Sequence, residues 1–132
     1  MISPYVYVGL KQIVIDTEIE QAKDIIDIVA KHFGMSRELI LQKSRKRTIL
    51  LPRQIAMFIV RKRTSIGLVK IGEAFGGFHH TTVINSLTQI NNDLATNQEY
   101  VSTQIQTINK IIDEIIFKTI PNEQDRANIS SN

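Results

Sequence analysis

The stretch Leu68-Val69-Lys70-Ile71-Gly72-Glu73-Ala74-Phe75-Gly76-Gly77-Phe78-His79-His80-Thr81-Thr82-Val83-Ile84 decides how this 132-residue chain is read. Leu68, Ile71, Ala74 and Phe75 fall on one side of a short helix. That helix must stop at Gly76-Gly77, because two adjacent glycines supply positive φ and little helix propensity. Behind them Val83, Ile84, Leu87, Ile90 and Leu94 recur at the spacing of a second amphipathic helix, starting near His79. Two helices joined by a glycine turn make a helix-turn-helix unit, an arrangement whose second helix can enter a DNA major groove. Small Gly72 would let the two helices approach closely. Val83 comes one residue later than in the common form of the motif, so a turn one residue longer is expected.

Upstream of this unit the charge is unevenly distributed. Residues 43–70 hold 9 basic side chains and no acidic one, while the segments before and after are net acidic and the whole chain is only +3. A segment of this kind makes a local positive field that attracts polyanions, with a solvated basic face as the plain alternative. Gln42-Lys43-Ser44-Arg45-Lys46-Arg47-Thr48 is polar and aperiodic and reads as an exposed loop. Pro52 fits the first turn of the next helix, and Ile55, Ala56, Ile59 and Val60 give it one buried face up to about Arg63.

The rest of the chain is also helical by pattern. Ile19, Ala22, Ile25, Ile26, Val29 and Phe33 mark a first helix, with Asp16 or Thr17 as N-cap and Gly34 as its close. Ser36 can cap one or two turns from Met35 to Leu41. Val101, Ile105, Ile108, Ile111, Ile112 and Ile115 form the stripe of a last helix, about Gln98 to Phe117. Residues 1–15, with Tyr5-Val6-Tyr7-Val8 and Ile13-Val14-Ile15, are β-branched or aromatic and are expected as an extended arm. Residues 16–120 form the domain, and 121–132 a polar, flexible tail. The expected fold class is all-α, a helix-turn-helix bundle of about five to six helices.

Several functions are disfavoured by what the chain contains. With no cysteine there is no disulfide framework, thiolate nucleophile or Cys-type zinc site. The longest apolar run, Ile55 to Val60, is far below the roughly 20 residues a membrane helix needs, and no signal-peptide pattern opens the chain. Adjacent His79 and His80 point in different directions from a helix start and make a poor metal pair. No nucleotide-binding glycine loop occurs. The expectation is a cytoplasmic, nucleoid-associated protein that is not an enzyme and needs no cofactor, metal, nucleotide or membrane.

What remains suits DNA. Lys and Arg release counterions from phosphates, helix N-termini favour phosphate oxygens, and Thr or His side chains can touch base edges or a thymine methyl. An arginine on a loop can enter a narrow minor groove, where the negative potential is enhanced. For Thr81 and Thr82 the plain alternative is helix capping. For Arg61-Lys62-Arg63 it is complementing a helix C-terminus, which is the preferred reading there.

Ala74-Phe75-Gly76-Gly77-Phe78-His79-His80-Thr81-Thr82-Val83 resembles the signature A-F-G-G-R-D-H-T-T-V of the C-terminal DNA-binding domain of the bacterial chromosomal replication initiator DnaA. Pro52-Arg53-Gln54-Ile55-Ala56-Met57 resembles that family's P-R-Q-x-A-M, with the basic loop before it at the same distance. The similarity runs from about Glu20 to about Ile116 and implies a Trp-repressor-like fold that binds double-stranded DNA. It implies a minor-groove loop of Lys43, Arg45, Lys46 and Arg47, with Arg45 entering the groove. It implies phosphate contacts from Arg53, Gln54 and Gln89, and major-groove readout from Phe78, His79, His80, Thr81 and Thr82.

The departures are specific. Phe78 and His79 replace the family's arginine and aspartate, Leu51 replaces a basic residue, and Gln89 replaces a lysine. Aspartate is a good N-cap, whereas histidine is expected to cap poorly. The similarity covers the family's DNA-reading part and not its ATPase, so the implied role is a monomeric or homodimeric reader at a replication origin or promoter of a bacterium, phage or mobile element. A second reading is a protein-protein adaptor that kept the fold, with exposed Phe78 as a contact. RNA binding is disfavoured, because A-form major grooves exclude helices.

Overall fold

A computed structural model describes the backbone of residues 4–119 and the side chains of residues 17–116. Its six helices are α1 (Pro4–His32), α2 (Arg37–Ile40), α3 (Arg47–Arg63), α4 (Leu68–Ala74), α5 (His80–Ala95) and α6 (Glu99–Thr119). No strand occurs among the described residues. The all-α expectation and the helix-turn-helix formed by α4 and α5 are both met.

The hub is α3, which packs against all of the other helices. Every residue from Leu51 to Val60 is buried, and Ile55, Ala56, Met57 and Val60 have no exposed surface. A helix buried all round loses the one-sided apolar pattern of a surface helix. Around it close Ala22, Ile25, Ile26 and Val29 of α1, Ile40 of α2, Ile71 of α4, Phe75 at its end, Val83 and Ile90 of α5, and Val101, Ile105, Ile108 and Ile112 of α6. Three polar links hold the outer helices. Arg63 reaches across to Asn109 and Asp113 of α6, His32 meets Gln104 at 2.6 Å, and the Glu18 carboxylate accepts from the Ser65 hydroxyl and amide ahead of α4.

Local chemistry sets most of the ends. After α1 the Met35 N–H donates to the Ala30 carbonyl at 2.9 Å and Gly34, at φ +70°, donates to Lys31, a closure that satisfies the last carbonyls. Ser36 caps α2 by accepting the Leu39 N–H at 3.1 Å. The same closure recurs after α5, with Asn97 in the left-handed conformation and Gln98 donating to Asp93 at 2.9 Å. Asparagine tolerates that conformation better than most residues.

Two helix starts and the exposure of one residue differ from expectation. The first helix begins at Pro4, so the backbone of residues 4–15 is helical and not an extended arm, and Asp16 and Thr17 lie inside the helix and do not cap it. β-branched residues cost a helix only a few tenths of a kcal/mol each, and a strand needs a partner, which the described residues do not offer. The side chains of that segment and the tail from residue 121 lie outside the described residues. The third helix starts at Arg47, which shortens the basic loop and places Pro52 one turn further in than expected. Proline removes the donor for the Thr48 carbonyl, and Thr48 is exposed, so water can replace it. Ile84, placed by period on the apolar stripe of α5, is 40% exposed.

Candidate nucleic-acid interface

The turn between α4 and α5 is fixed by backbone geometry. Gly76 and Gly77 stand at φ +90° and +101°, where a Cβ is strained. The Gly76 N–H donates to Glu73, while those of Gly77 and Phe78 both converge on the Gly72 carbonyl at 3.0 Å. A Cβ on Gly72 would stand 2.0 Å from the Phe78 carbonyl oxygen and 3.7 Å from a Val83 methyl. The close approach expected at Gly72 is therefore chiefly to the turn backbone and less to the second helix.

At the start of α5 the residues before the first full turn cap it. His79 is the N-cap, and its Nδ1 accepts the Thr81 N–H at 3.2 Å, so histidine does serve as a cap here. The same nitrogen lies 2.7 Å from the Thr81 hydroxyl. Because Nδ1 accepts, the ring proton is assigned to Nε2. The His79 and His80 rings lie 4.3 Å apart, tilted by 35°. His79, His80 and Thr81 are exposed, and Thr82 is half-buried.

The basic loop reaches this place from the other side. Lys43, Ser44 and Arg45 line one open groove of about 530 Å³ with Gly77, Phe78, His79 and Thr82, and with Leu50 and Arg53 of α3. Lys43, Arg45 and Lys46 are exposed. Ser44, which sequence reasoning passed over, shapes the loop by accepting the Lys46 N–H at 3.2 Å. A serine two residues before a helix N-cap, here Lys46, is the available signal for such a turn.

Arg53 organises the meeting point. It is only 4% exposed; its two terminal nitrogens donate to the carbonyls of Gln42 and Ser44, and its guanidinium lies over the Phe78 ring, 4.7 Å from the centroid. Burial pulls its pKa down from the ordinary value. Its Nε, like the Oε1 of neighbouring Gln54, is buried without a hydrogen-bond partner among the described residues. Gln54 is 8% exposed. Both side chains thus show little surface in this arrangement, although Arg53 still borders the open groove. Lys43 approaches Phe78 as well, 5.8 Å from its centroid. The half-buried Phe78 thus packs against two cations, Arg53 of α3 and Lys43 of the loop, and is less exposed than the adaptor reading expects.

Two candidates stand apart from the groove. Arg47 opens α3 and lines a separate groove with Phe33, Met35, Thr48, Leu51, Pro52 and Tyr100. Gln89 lies two turns along α5, where its amide donates to Asp93 at 3.0 Å. Arg63 is held by Asn109 and Asp113, and Arg61 donates to the Ile66 carbonyl just past the end of α3, in keeping with structural roles. Among the described residues no group of three or more His, Asp or Glu side chains could hold a metal ion, and no helix is long and apolar enough to cross a membrane.

Comparison with known proteins agrees with this architecture. One solved structure, described as the crystal structure of a DNA replication initiation factor, is 26% identical with a TM-score of 0.65. The match covers 77% of this chain and 32% of that one, so the chain spans about a third of the length of that protein. The family model for the bacterial DnaA protein helix-turn-helix matches residues 22–90, more than half of the chain and the whole of α2 to α4 with most of α5. This chain belongs to the bacterial DnaA protein helix-turn-helix family.

Proposed function

We propose that this chain binds double-stranded DNA with sequence preference, placing the start of α5 in the major groove and the Lys43–Lys46 loop in an adjacent minor groove. The observation that carries this is the shared groove: loop cations from one segment and the turn and recognition-helix start from another open onto the same face. His80 and Thr81, with His79 and Thr82 beside them, supply donors and acceptors for base edges, and Arg45 supplies a guanidinium for a narrow minor groove. Arg47 and Gln89 would touch phosphates at the margins. Arg53 acts through the loop it holds. The loop lysines hold the backbone in register.

The family and the neighbour's description as a replication initiation factor favour a role at a replication origin over one at a promoter. A bacterial cytoplasm, or a phage or mobile element within it, is the matching setting. The domain is taken to run from about residue 16 to 120, acting as a monomer on an asymmetric site.

Selection from a random-duplex pool at physiological salt, followed by fluorescence anisotropy on the enriched site, tests the reading. Three or four neutralised phosphates give d log K/d log[salt] of roughly −3 to −4. Thr81→Ala should weaken the enriched site by about 1–3 kcal/mol and random DNA little. Equal loss on both would remove base readout by α5.

A further inference from the structure

We propose that His79 is a proton-operated cap: the neutral imidazole holds the start of α5 in its site-selective form, and a proton on it releases that start and makes the chain a less selective duplex binder. This rests on the duplex-DNA reading above and adds to it a control by pH. One ring atom carries the device. Nδ1 of His79 accepts the Thr81 N–H at 3.2 Å and lies 2.7 Å from the Thr81 hydroxyl, and the first turn of α5 contains no carboxylate that could take its place. Imidazole accepts at that atom only while it is unprotonated, and it is the side chain that ordinarily changes charge between about pH 5 and pH 8. A carboxylate, which the resembling signature has at this place, keeps accepting down to about pH 4. Histidine here makes the cap titratable.

Protonation reverses the direction of the contact. The new Nδ1–H donates to the Thr81 hydroxyl oxygen, already within reach, and the Thr81 N–H is left to water. Loss of an N-cap loosens the first turn of its helix. The charges around the ring have one sign. His79 shares the groove with Lys43 and Arg45 of the loop and Arg53 of α3, and no residue of α1, α2, α4 or α6 lines it. The His80 ring lies beside it, 4.3 Å away. Glu73, the acidic residue of α4, is paired with Lys70, and Asp93, the acidic residue of α5, sits near the far end of that helix. An imidazolium therefore adds one more cation to a face that attracts phosphates. Random duplex gains from that charge, whereas an enriched site also needs the first turn of α5 in one conformation and loses it.

The test uses the full chain on two duplexes, the site enriched by the wild type and a random one, at fixed ionic strength from about pH 8 to about pH 5. The ratio of the two affinities should fall about two- to thirtyfold as pH falls, the range of one N-cap. The random duplex alone should bind more tightly, with a salt slope steeper by up to about 1. In His79→Asn the cap persists without a titrating group, and the ratio should stay flat. His32, which meets Gln104 between α1 and α6, is common to both proteins and cancels in the comparison. In NMR without DNA, the Thr81 amide signal should move with the midpoint of the His79 ring signals, and in His79→Asn it should stay in place. A ratio equally pH-dependent in wild type and His79→Asn, or one made flat by His80→Asn alone, would overturn the proposal and leave DNA binding intact. So would a Thr81 amide indifferent to the His79 ring. A chain whose Thr81 amide follows His79 but which binds no duplex at any pH would instead overturn the reading on which the proposal stands.

Discussion

Arg53 stacks its guanidinium on the ring of Phe78 while its terminal nitrogens hold the carbonyls of Gln42 and Ser44. One buried side chain of α3 therefore ties the basic loop to the turn of the helix-turn-helix, although loop and turn are more than 30 residues apart in sequence. The residue at position 78 matters to this. An arginine there, as in the resembling signature, would set two cations face to face or swing away into the groove, whereas the face of an aromatic ring attracts a guanidinium. Phe78 at this position is part of the loop's support, through the Arg53 guanidinium that holds the loop carbonyls.

Arg53→Ala should then act on the loop as a whole. Removing the guanidinium leaves two loop carbonyls without their donor and a void beneath Phe78, and a loss of about 1–3 kcal/mol of stability is expected. For DNA the signature is the salt slope. A single lost phosphate contact lowers the slope by about 1. Release of a loop that presents Lys43, Arg45 and Lys46 should lower it by 2 or more, measured by anisotropy on one duplex at several salt concentrations. A change of 1, with stability intact, would return Arg53 to the role of a phosphate contact.

The parts of this molecule that were legible in the sequence are those set within a few residues. Gly76-Gly77, Ser36 and Gly34 punctuate the chain by local hydrogen bonding, and the α6 stripe reads directly because only one face of that helix meets the core. The burial of Arg53 is harder to read, because its residue type suggests exposure while its position does not. It lies four residues after Ile49 and four before Met57, both buried, so the helical period already put it on a covered face. Ile84 failed in the opposite direction, since a period of 3.6 widens the apolar stripe by one residue on either side and only the packing of α3 and α4 against α5 decides which edge is sealed. The start of α1 was illegible because β-branched composition does not determine a strand without a partner.

Gly72→Ala separates propensity from packing. In an exposed helix the exchange would stabilise by about 1 kcal/mol. Here the new methyl would stand 2.0 Å from the Phe78 carbonyl oxygen, so the turn must move. Net destabilisation of about 1–3 kcal/mol is expected, the usual cost of overpacking. Chemical denaturation gives the sign. A stabilised variant would mean the turn can shift freely, and the geometry of the recognition helix would no longer be anchored there.

Acid sensitivity has an identifiable contributor. A two-pronged contact from Arg37 to Asp27 joins α2 to α1, and the hydrogen bonds from Arg37 hold the Asp27 carboxyl below its ordinary range. A depressed folded-state pKa adds stability above the unfolded value and loses it as pH falls through the folded one. Asp27→Asn should therefore narrow the difference between thermal midpoints at pH 7 and pH 3. The effect is small because both partners are about half exposed. An unchanged difference would assign the acid sensitivity to other carboxylates.

His79→Asp tests the cap at the start of the recognition helix. The imidazole Nδ1 already accepts the Thr81 N–H, but a carboxylate is the stronger acceptor and adds a negative charge at the positive end of the helix dipole. A gain of about 0.5–1 kcal/mol is expected for His79→Asp and a loss of about 1 kcal/mol for His79→Ala, which leaves the N–H without a side-chain acceptor. The two thermal midpoints should thus fall on opposite sides of the wild type. If both rise, the imidazole is strained where it sits. If both fall, its contact with the neighbouring His80 ring, and not capping, is what holds the turn. Asparagine at the same position discriminates further, since it caps without the charge. A midpoint for His79→Asn between those of the histidine and aspartate forms would divide the gain between hydrogen bonding and the dipole.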